Sequence, residues 1–181
     1  MTTGPVDRAF RTREGLRDAA VLALLLARED GDRLLLTERR DDLPDHPGQV
    51  AFPGGAREGD EDALACALRE AEEEVGIPAA SVEVLGRLPD RVSVAGFLVA
   101  AFVGRIAPPA TFRPDPREVK RVFEVPFALL REESRWRYED RTTPMGRFPR
   151  VPFFEGEGPR LWGLTAMFVR DLLEAGGQAG L

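Results

Sequence analysis

The stretch Asp60–Pro78, "DEDALACALREAEEEVGIP", leaves the chain few ways to fold. Asp60 is suited to cap a helix, Gly76 to end it in a left-handed turn, and Pro78 to prevent its resumption. The predicted helix runs from Glu61 to about Val75. At 100° per residue Leu64, Leu68, Ala71 and Val75 fall in a sector of about 60°, which predicts the buried stripe. Glu70, Glu73 and Glu74 then lie together on the far side, with Glu72 apart, between the stripe and Arg69. Like charges one turn apart repel by a few tenths of a kcal/mol. Interleaved lysines would relieve this, yet Arg69 is the only base between Glu61 and Val75. A solvated charged face is the plain reading. The chemical one is a divalent cation, since Mg²⁺ is held by one or two carboxylates together with substrate phosphates. Cys66, one turn before Glu70, reads as a small filler, because no activating base can be placed beside it.

The flanks supply the rest of a single α/β domain. Two apolar runs, Ala19–Ala27 and Arg33–Arg39, surround an acidic Gly turn and read as paired strands. The first resembles a signal-peptide core but is too short to span a bilayer. Residues 40–55 hold three prolines and three glycines and read as loop, with a short strand at Val50–Phe52. Val82–Arg87, Phe97–Ile106 and Val119–Val125 read as strands, Pro126–Leu130 as a short helix, and Arg135–Tyr138 and Val151–Phe154 as further strands. Leu161, Leu164, Phe168 and Leu172 recur at helical spacing, predicting a helix over Leu161–Leu173 that ends before Gly176. The domain is expected over residues 19–175, after an arm at 1–18 and before a tail at 176–181.

The formal net charge of −6 argues against a nucleic-acid or membrane-surface partner. It leaves room for a small anion, because metal and local arginines reverse the field inside a cleft. Lys120 is the only lysine, so positive charge is almost wholly arginine, whose planar fork suits phosphate. The single cysteine excludes an internal disulfide and fits a reducing cytoplasm. Nothing in the composition decides whether the chain forms a homodimer.

Gly55, five residues, Glu61, seven residues, and then Arg69-Glu70-Ala71-Glu72-Glu73-Glu74-Val75-Gly76-Ile77 resembles a complete Nudix box, G-x5-E-x7-R-E-U-x-E-E-x-G-U with U apolar. A chance match is expected once in ~10⁸ starting points at average residue usage. The resemblance implies an α/β/α sandwich with a mixed sheet and a loop–helix–loop motif. It implies a hydrolase that cleaves a nucleoside diphosphate linked to another moiety with Mg²⁺ or Mn²⁺. By position, Glu70, Glu73 and Glu74 are the metal-binding or metal-proximal carboxylates, and Glu70 is also a candidate base toward water. Arg69 orients them, Glu61 supports the loop, and Gly54 and Gly55 give a tight turn with a carbonyl available to metal. The intact box favours an enzyme over a Nudix module that only senses a nucleotide.

The preceding loop, "LLTERRDDLPDHPGQVAFPGG", is similar to the signature of the coenzyme A pyrophosphatase branch, L-L-T-x-R-[SA]-x3-R-x3-G-x3-F-P-G-G. It departs at Arg40, where Ser or Ala is usual, and at Pro44, where Arg is usual. The resemblance extends over about residues 19–173. It implies cleavage of coenzyme A or acyl-coenzyme A into 4′-phosphopantetheine (or its acyl form) and adenosine 3′,5′-bisphosphate. Hydrolases of ADP-ribose, nucleoside triphosphates or dinucleoside polyphosphates are the alternative that Pro44 leaves open. Candidate substrate contacts are Arg39, Arg40, His46, Gln49, Phe52, Gly54, Gly55 and Arg57, with Arg91 as a further arginine. Glu118 and Glu124 are candidates for another metal ligand or base, against the plain reading of exposed strand carboxylates. Trp136, Tyr138, Phe153 and Phe154 divide between core packing and a substrate-facing surface.

Overall fold

The computed structural model describes residues 15–44, 46–143, 146–156 and 158–179. In chain order the elements are β1 (Arg17–Leu26), β2 (Arg33–Arg39), β3 (Val50–Ala51), β4 (Gly54–Ala56), α1 (Ala63–Val75), β5 (Val82–Val92), β6 (Phe97–Ile106), β7 (Val119–Pro126), α2 (Phe127–Leu130), β8 (Trp136–Thr143), β9 (Gly146–Phe154), β10 (Leu161–Trp162) and α3 (Gly163–Ala179). Strands β8, β9 and β10 form a separate antiparallel sheet, and the others form one mixed sheet.

Strand β1 runs parallel to β6 along its whole length, but pairs antiparallel with β2 only from Leu24 to Leu26. Past that point the two strands diverge. The edge of β1 at Ala19–Val21 is taken by β4, and the edge of β2 at Thr37–Glu38 by β3. Residues 50–56 therefore thread a fork between two central strands. The fork fixes where the Gly54-Gly55 turn, and hence α1, must lie. Outside it β7 covers the far edge of β2, and β5 covers that of β6.

Successive residues of β1 feed opposite faces of the sheet. Ala20, Leu22, Leu24 and Leu26 join Ala67, Ala71 and Val75 of α1, while Ala19, Ala23 and Leu25 share a core with Ala166, Phe168, Val169 and Leu172 of α3. Both faces are covered, so the strand is apolar throughout rather than alternating. Truncating one of these fully buried leucines costs about 2–5 kcal/mol. The expected hairpin and α/β/α layering are both present.

Several expected boundaries move. Asp62, not Asp60, caps α1; its side chain accepts the Ala65 N–H at 2.8 Å. The buried face of α1 is centred on Ala67 and Ala71, with Cys66, Glu74 and Val75, while Leu64 and Leu68 lie half-buried at its margin. That is a rotation of roughly 70° from the expected stripe at 100° per residue. Small side chains on this face let the helix approach β1 and β4 closely, which leucine-weighted spacing does not register. Strand β5 continues through Pro89 to Val92, as an edge strand permits. Strands β8 and β9 are longer than expected, because polar residues mask their periodicity.

Leu161 and Trp162 pair with Phe154 and Phe153 as β10 instead of opening the last helix. That helix starts at Gly163 and continues through Gly176 and Gly177 to Ala179. Docking of Phe168, Val169 and Leu172 in the core offsets a glycine penalty of about 1 kcal/mol each. Of the expected arm, residues 1–14 lie outside the described residues, and Arg17 and Asp18 belong to β1. Among the described residues no helix is long and apolar enough to cross a membrane.

Candidate active site

The site is built where the fork meets α1. Gly54 lies so close to β1 that a Cβ there would come within 2.6 Å of the Val21 Cα. Gly55 faces the helix, and a Cβ on it would come within 2.6 Å of the Glu70 Cδ. The two glycines thus have different reasons: one lets the backbone touch a strand, the other lets a carboxylate touch the backbone. At the other end of α1, Gly76 takes φ 71° and donates to the carbonyls of Ala71 and Glu72. Residues 113 and 115 donate to Val75 O and Glu74 O at 2.8 and 2.9 Å, tying the loop between β6 and β7 to the helix end.

Arg69 is the hub of the N-terminal part. Its guanidinium binds Glu61 through two bonds of 3.1 and 2.8 Å. It also reaches Glu70 and Glu73, both at 3.0 Å, and the Ala56 carbonyl at 3.3 Å. Glu61 accepts the Glu58 N–H at 2.8 Å as well. The Arg69 guanidinium, helped by that N–H, holds the Glu61 carboxyl down at about 2. Arg57 donates to the Glu61 carbonyl at 2.9 Å and pairs with Asp18 at 3.0 Å. It braces the loop rather than standing free toward a ligand.

Glu73, Glu70 and Glu74 form a row of increasing burial, with side chains 59%, 16% and 7% exposed. They are not the three carboxylates of one outward face that the stripe predicted, because the rotation of α1 turns Glu70 and Glu74 toward the sheet. Burial raises the Glu70 carboxyl above its ordinary value; Arg69 opposes this, and Glu73 and Glu118 add repulsion. Burial, with repulsion from Glu70, pushes Glu74 up to about 8. Glu74 accepts one backbone N–H, from Gly54 at 3.3 Å, and has Arg39 Nη1 at 3.9 Å. The Arg39 Nε is buried without a partner. A carboxylate and a guanidinium are thus both held at the fork with hydrogen-bonding capacity unspent.

Among the described residues no three or more His, Cys, Asp or Glu side chains are gathered closely enough to hold a metal unaided. The donor set fits a hard cation that takes two carboxylates and completes its shell with water and substrate oxygen. The repulsion shared by Glu70, Glu74 and Glu118 is what such a cation would relieve.

Other expected residues scatter. Arg40 is committed to Asp42 at 2.7 Å through two nitrogens and to the Pro116 carbonyl at 2.7 Å. It lines a cavity of about 390 Å³ with Asp41, Asp42, Pro116, Val119 and Lys120. His46, at φ 54°, and Gln49 belong to the loop before β3, where the Gln49 N–H donates to the His46 carbonyl at 3.3 Å. Phe52 is core, only 3% exposed. Glu124 is paired with Arg28, and Arg91 with Asp171. Trp136 is buried, donating to Leu130 O at 2.8 Å and packing on Phe154. Cys66 is buried, its thiol pushed up to about 11 by desolvation and by nearby Glu61, as a filler should be.

Sequence reasoning missed the buried Glu38, which is bound by Lys120 at 3.0 Å and Arg121 at 2.5 Å. Burial raises its carboxyl, but the two cations outweigh this and leave it below the ordinary range. No local signal marks it, since its partners come from β7 across the ladder.

The NUDIX domain family model matches residues 16–159. The chain is 45% identical over 157 residues to the uncharacterized Nudix hydrolase NudL of Escherichia coli strain K12, covering 86% of this chain and 81% of that one. It is 40% identical over 165 residues to the protein of the same name in Photorhabdus laumondii, covering 91% and 87%. Among solved structures, a Nudix hydrolase from M. smegmatis, RenU, superposes with a TM-score of 0.54 and 26% identity, over 62% of this chain and 71% of that one.

Proposed function

The chain belongs to the Nudix hydrolase family, and from that premise we propose that it hydrolyses the diphosphate of coenzyme A or acyl-coenzyme A in the cytoplasm, with Mg²⁺ or Mn²⁺. The products are 4′-phosphopantetheine, or its acyl form, and adenosine 3′,5′-bisphosphate. The observation that carries this reading is the placement of the Leu35–Gly55 signature. Its Arg39 stands 3.9 Å from Glu74, and its Gly54 N–H donates to the same carboxylate. The residues that resemble the coenzyme A branch therefore adjoin the residues of the box.

Glu70 and Glu74 are the residues that would hold the cation, with the Gly54 carbonyl as a further donor and Glu73 at the solvent edge. When bound, the cation neutralises the pyrophosphate and lowers the pKa of water. Arg69 fixes the Glu70 carboxylate, and the Gly54 N–H fixes that of Glu74. Glu70 takes the proton from the attacking water, because it is the member of the buried pair that solvent still reaches. Arg39 meets a phosphoryl oxygen with its guanidinium, whose Nε–H has no partner among the described residues.

Product analysis on a substrate panel tests the reading. Adenosine 3′,5′-bisphosphate from coenzyme A supports it, and faster turnover of ADP-ribose or a nucleoside triphosphate overturns it. One observation favours that second outcome. Arg40, the guanidinium expected to replace the one absent at Pro44, is already bound by Asp42. An unchanged KM for coenzyme A in Arg40→Ala would show that Arg40 makes no such contact.

A further inference from the structure

The second sheet carries an exposed aromatic that the site described above does not use. Trp162 of β10 is 37% exposed. It lies opposite Phe153 in the ladder, and the two rings stack, 3° from parallel with centroids 5.7 Å apart. Phe153 is buried, so it is a fixed floor beneath the indole. Two guanidiniums border the stack: Arg141 lies 4.9 Å from the Phe153 centroid and 5.9 Å from that of Trp162, and Arg160 lies 4.6 Å from Phe153. They share one carboxylate, Glu139, at 2.9 and 3.7 Å, which leaves a net positive charge. The Arg141 Nε is buried without a partner. Strand β10 packs beside β3, which leads directly into the Gly54-Gly55 turn.

We propose that Trp162, with Arg141 and Arg160, docks the phosphorylated nucleoside half of the substrate: a purine stacks on the indole, and a ribose phosphate meets the two guanidiniums. A flat π-face favours a base of any identity, while paired arginines favour an anion. The combination selects an aromatic ring that carries a phosphate. The pantetheine arm, flexible and without an aromatic ring, has nothing to stack. The assignment of this half to adenosine 3′,5′-bisphosphate rests on the coenzyme A reading.

Tryptophan emission of the full chain tests the proposal, since Trp136, the other tryptophan, is buried and shielded from a ligand that stacks on Trp162. Adenosine 3′,5′-bisphosphate is expected to quench emission saturably, adenosine 5′-monophosphate to do so more weakly, and 4′-phosphopantetheine not to do so. Measured by calorimetry, which needs no tryptophan reporter, Trp162→Ala should raise Kd for the bisphosphate about tenfold, with Trp162→Phe restoring most of it. Arg141→Ala and Arg160→Ala should each raise it about tenfold, with little effect on unphosphorylated adenosine. In turnover, Trp162→Ala should raise KM and leave kcat nearly unchanged. Equal quenching by 4′-phosphopantetheine, or an unchanged Kd and KM in Trp162→Ala, would overturn the site. Tight bisphosphate binding by a chain that leaves coenzyme A intact keeps the site and removes the coenzyme A reading instead.

Discussion

Glu61 and Glu74 bracket α1, and their surroundings treat a carboxylate in opposite ways. Around Glu61 three hydrogen bonds are made, two from Arg69 and one from the Glu58 N–H, and the carboxyl is held at about 2. Around Glu74 burial removes water, one N–H answers, Glu70 repels, and the carboxyl rises to about 8. The first arrangement lowers free energy by itself. The second raises it and becomes favourable only when something positive enters. Structure and reactivity are thus divided between the two ends of one thirteen-residue helix.

If that division is right, the largest effects on rate arise at the unsatisfied end. Glu70→Gln and Glu74→Gln are each expected to lower kcat by at least about 10²-fold in steady-state assays, the scale of losing a base or a metal ligand. Either variant at wild-type rate would remove that residue from the mechanism. The glycines give the next contrast. Gly55→Ala displaces a carboxylate that can swing, so activity should fall about tenfold or more with Tm nearly kept. Gly54→Ala strikes the backbone of β1, so it should lower stability itself, by about 1–3 kcal/mol in denaturant titration. The reverse pattern would mean that the fork, not the carboxylate, depends on Gly55.

The pH profile sharpens the comparison. Glu74 has its folded pKa raised from 4.5 to about 8, so the folded chain binds the extra proton across that window. Stability of the metal-free protein should therefore fall as pH rises from about 4.5 to 8, and Glu74→Gln should flatten the slope. Glu61 is depressed from 4.5 to about 2, so its contribution is present above 4.5 and is lost as pH falls toward 2. Divalent cations should bind more tightly with rising pH over the upper window, releasing a proton measurable by calorimetry in two buffers. The smallest effects belong to the exposed side. Glu73→Gln should cost less than Glu70→Gln, and Glu72→Gln should be nearly silent in both rate and Tm.

Much of this was legible because it is local. Residues 55–77 name their own turn, helix and stop, though not which aspartate caps the helix, and the β1–β2 hairpin announces itself by two apolar runs around a turn. The family resemblance implied that Arg69 orients Glu70, Glu73 and Glu74; in the structure it binds Glu70 and Glu73, and Glu61 as well. What the spacing did not give was the angle at which α1 meets the sheet. Apolar size weights Leu64 and Leu68, whereas close packing of Ala67 and Ala71 sets the real face. The sequence therefore determined which carboxylates stand near one another, since helical pitch fixes neighbours at i+3 and i+4. Only the tertiary structure decided how differently they behave. Burial against β1 and β4, the reach of Arg39 from β2, and the stacking of Trp162 on Phe153 each join residues far apart in the chain, through packing that no local pattern encodes.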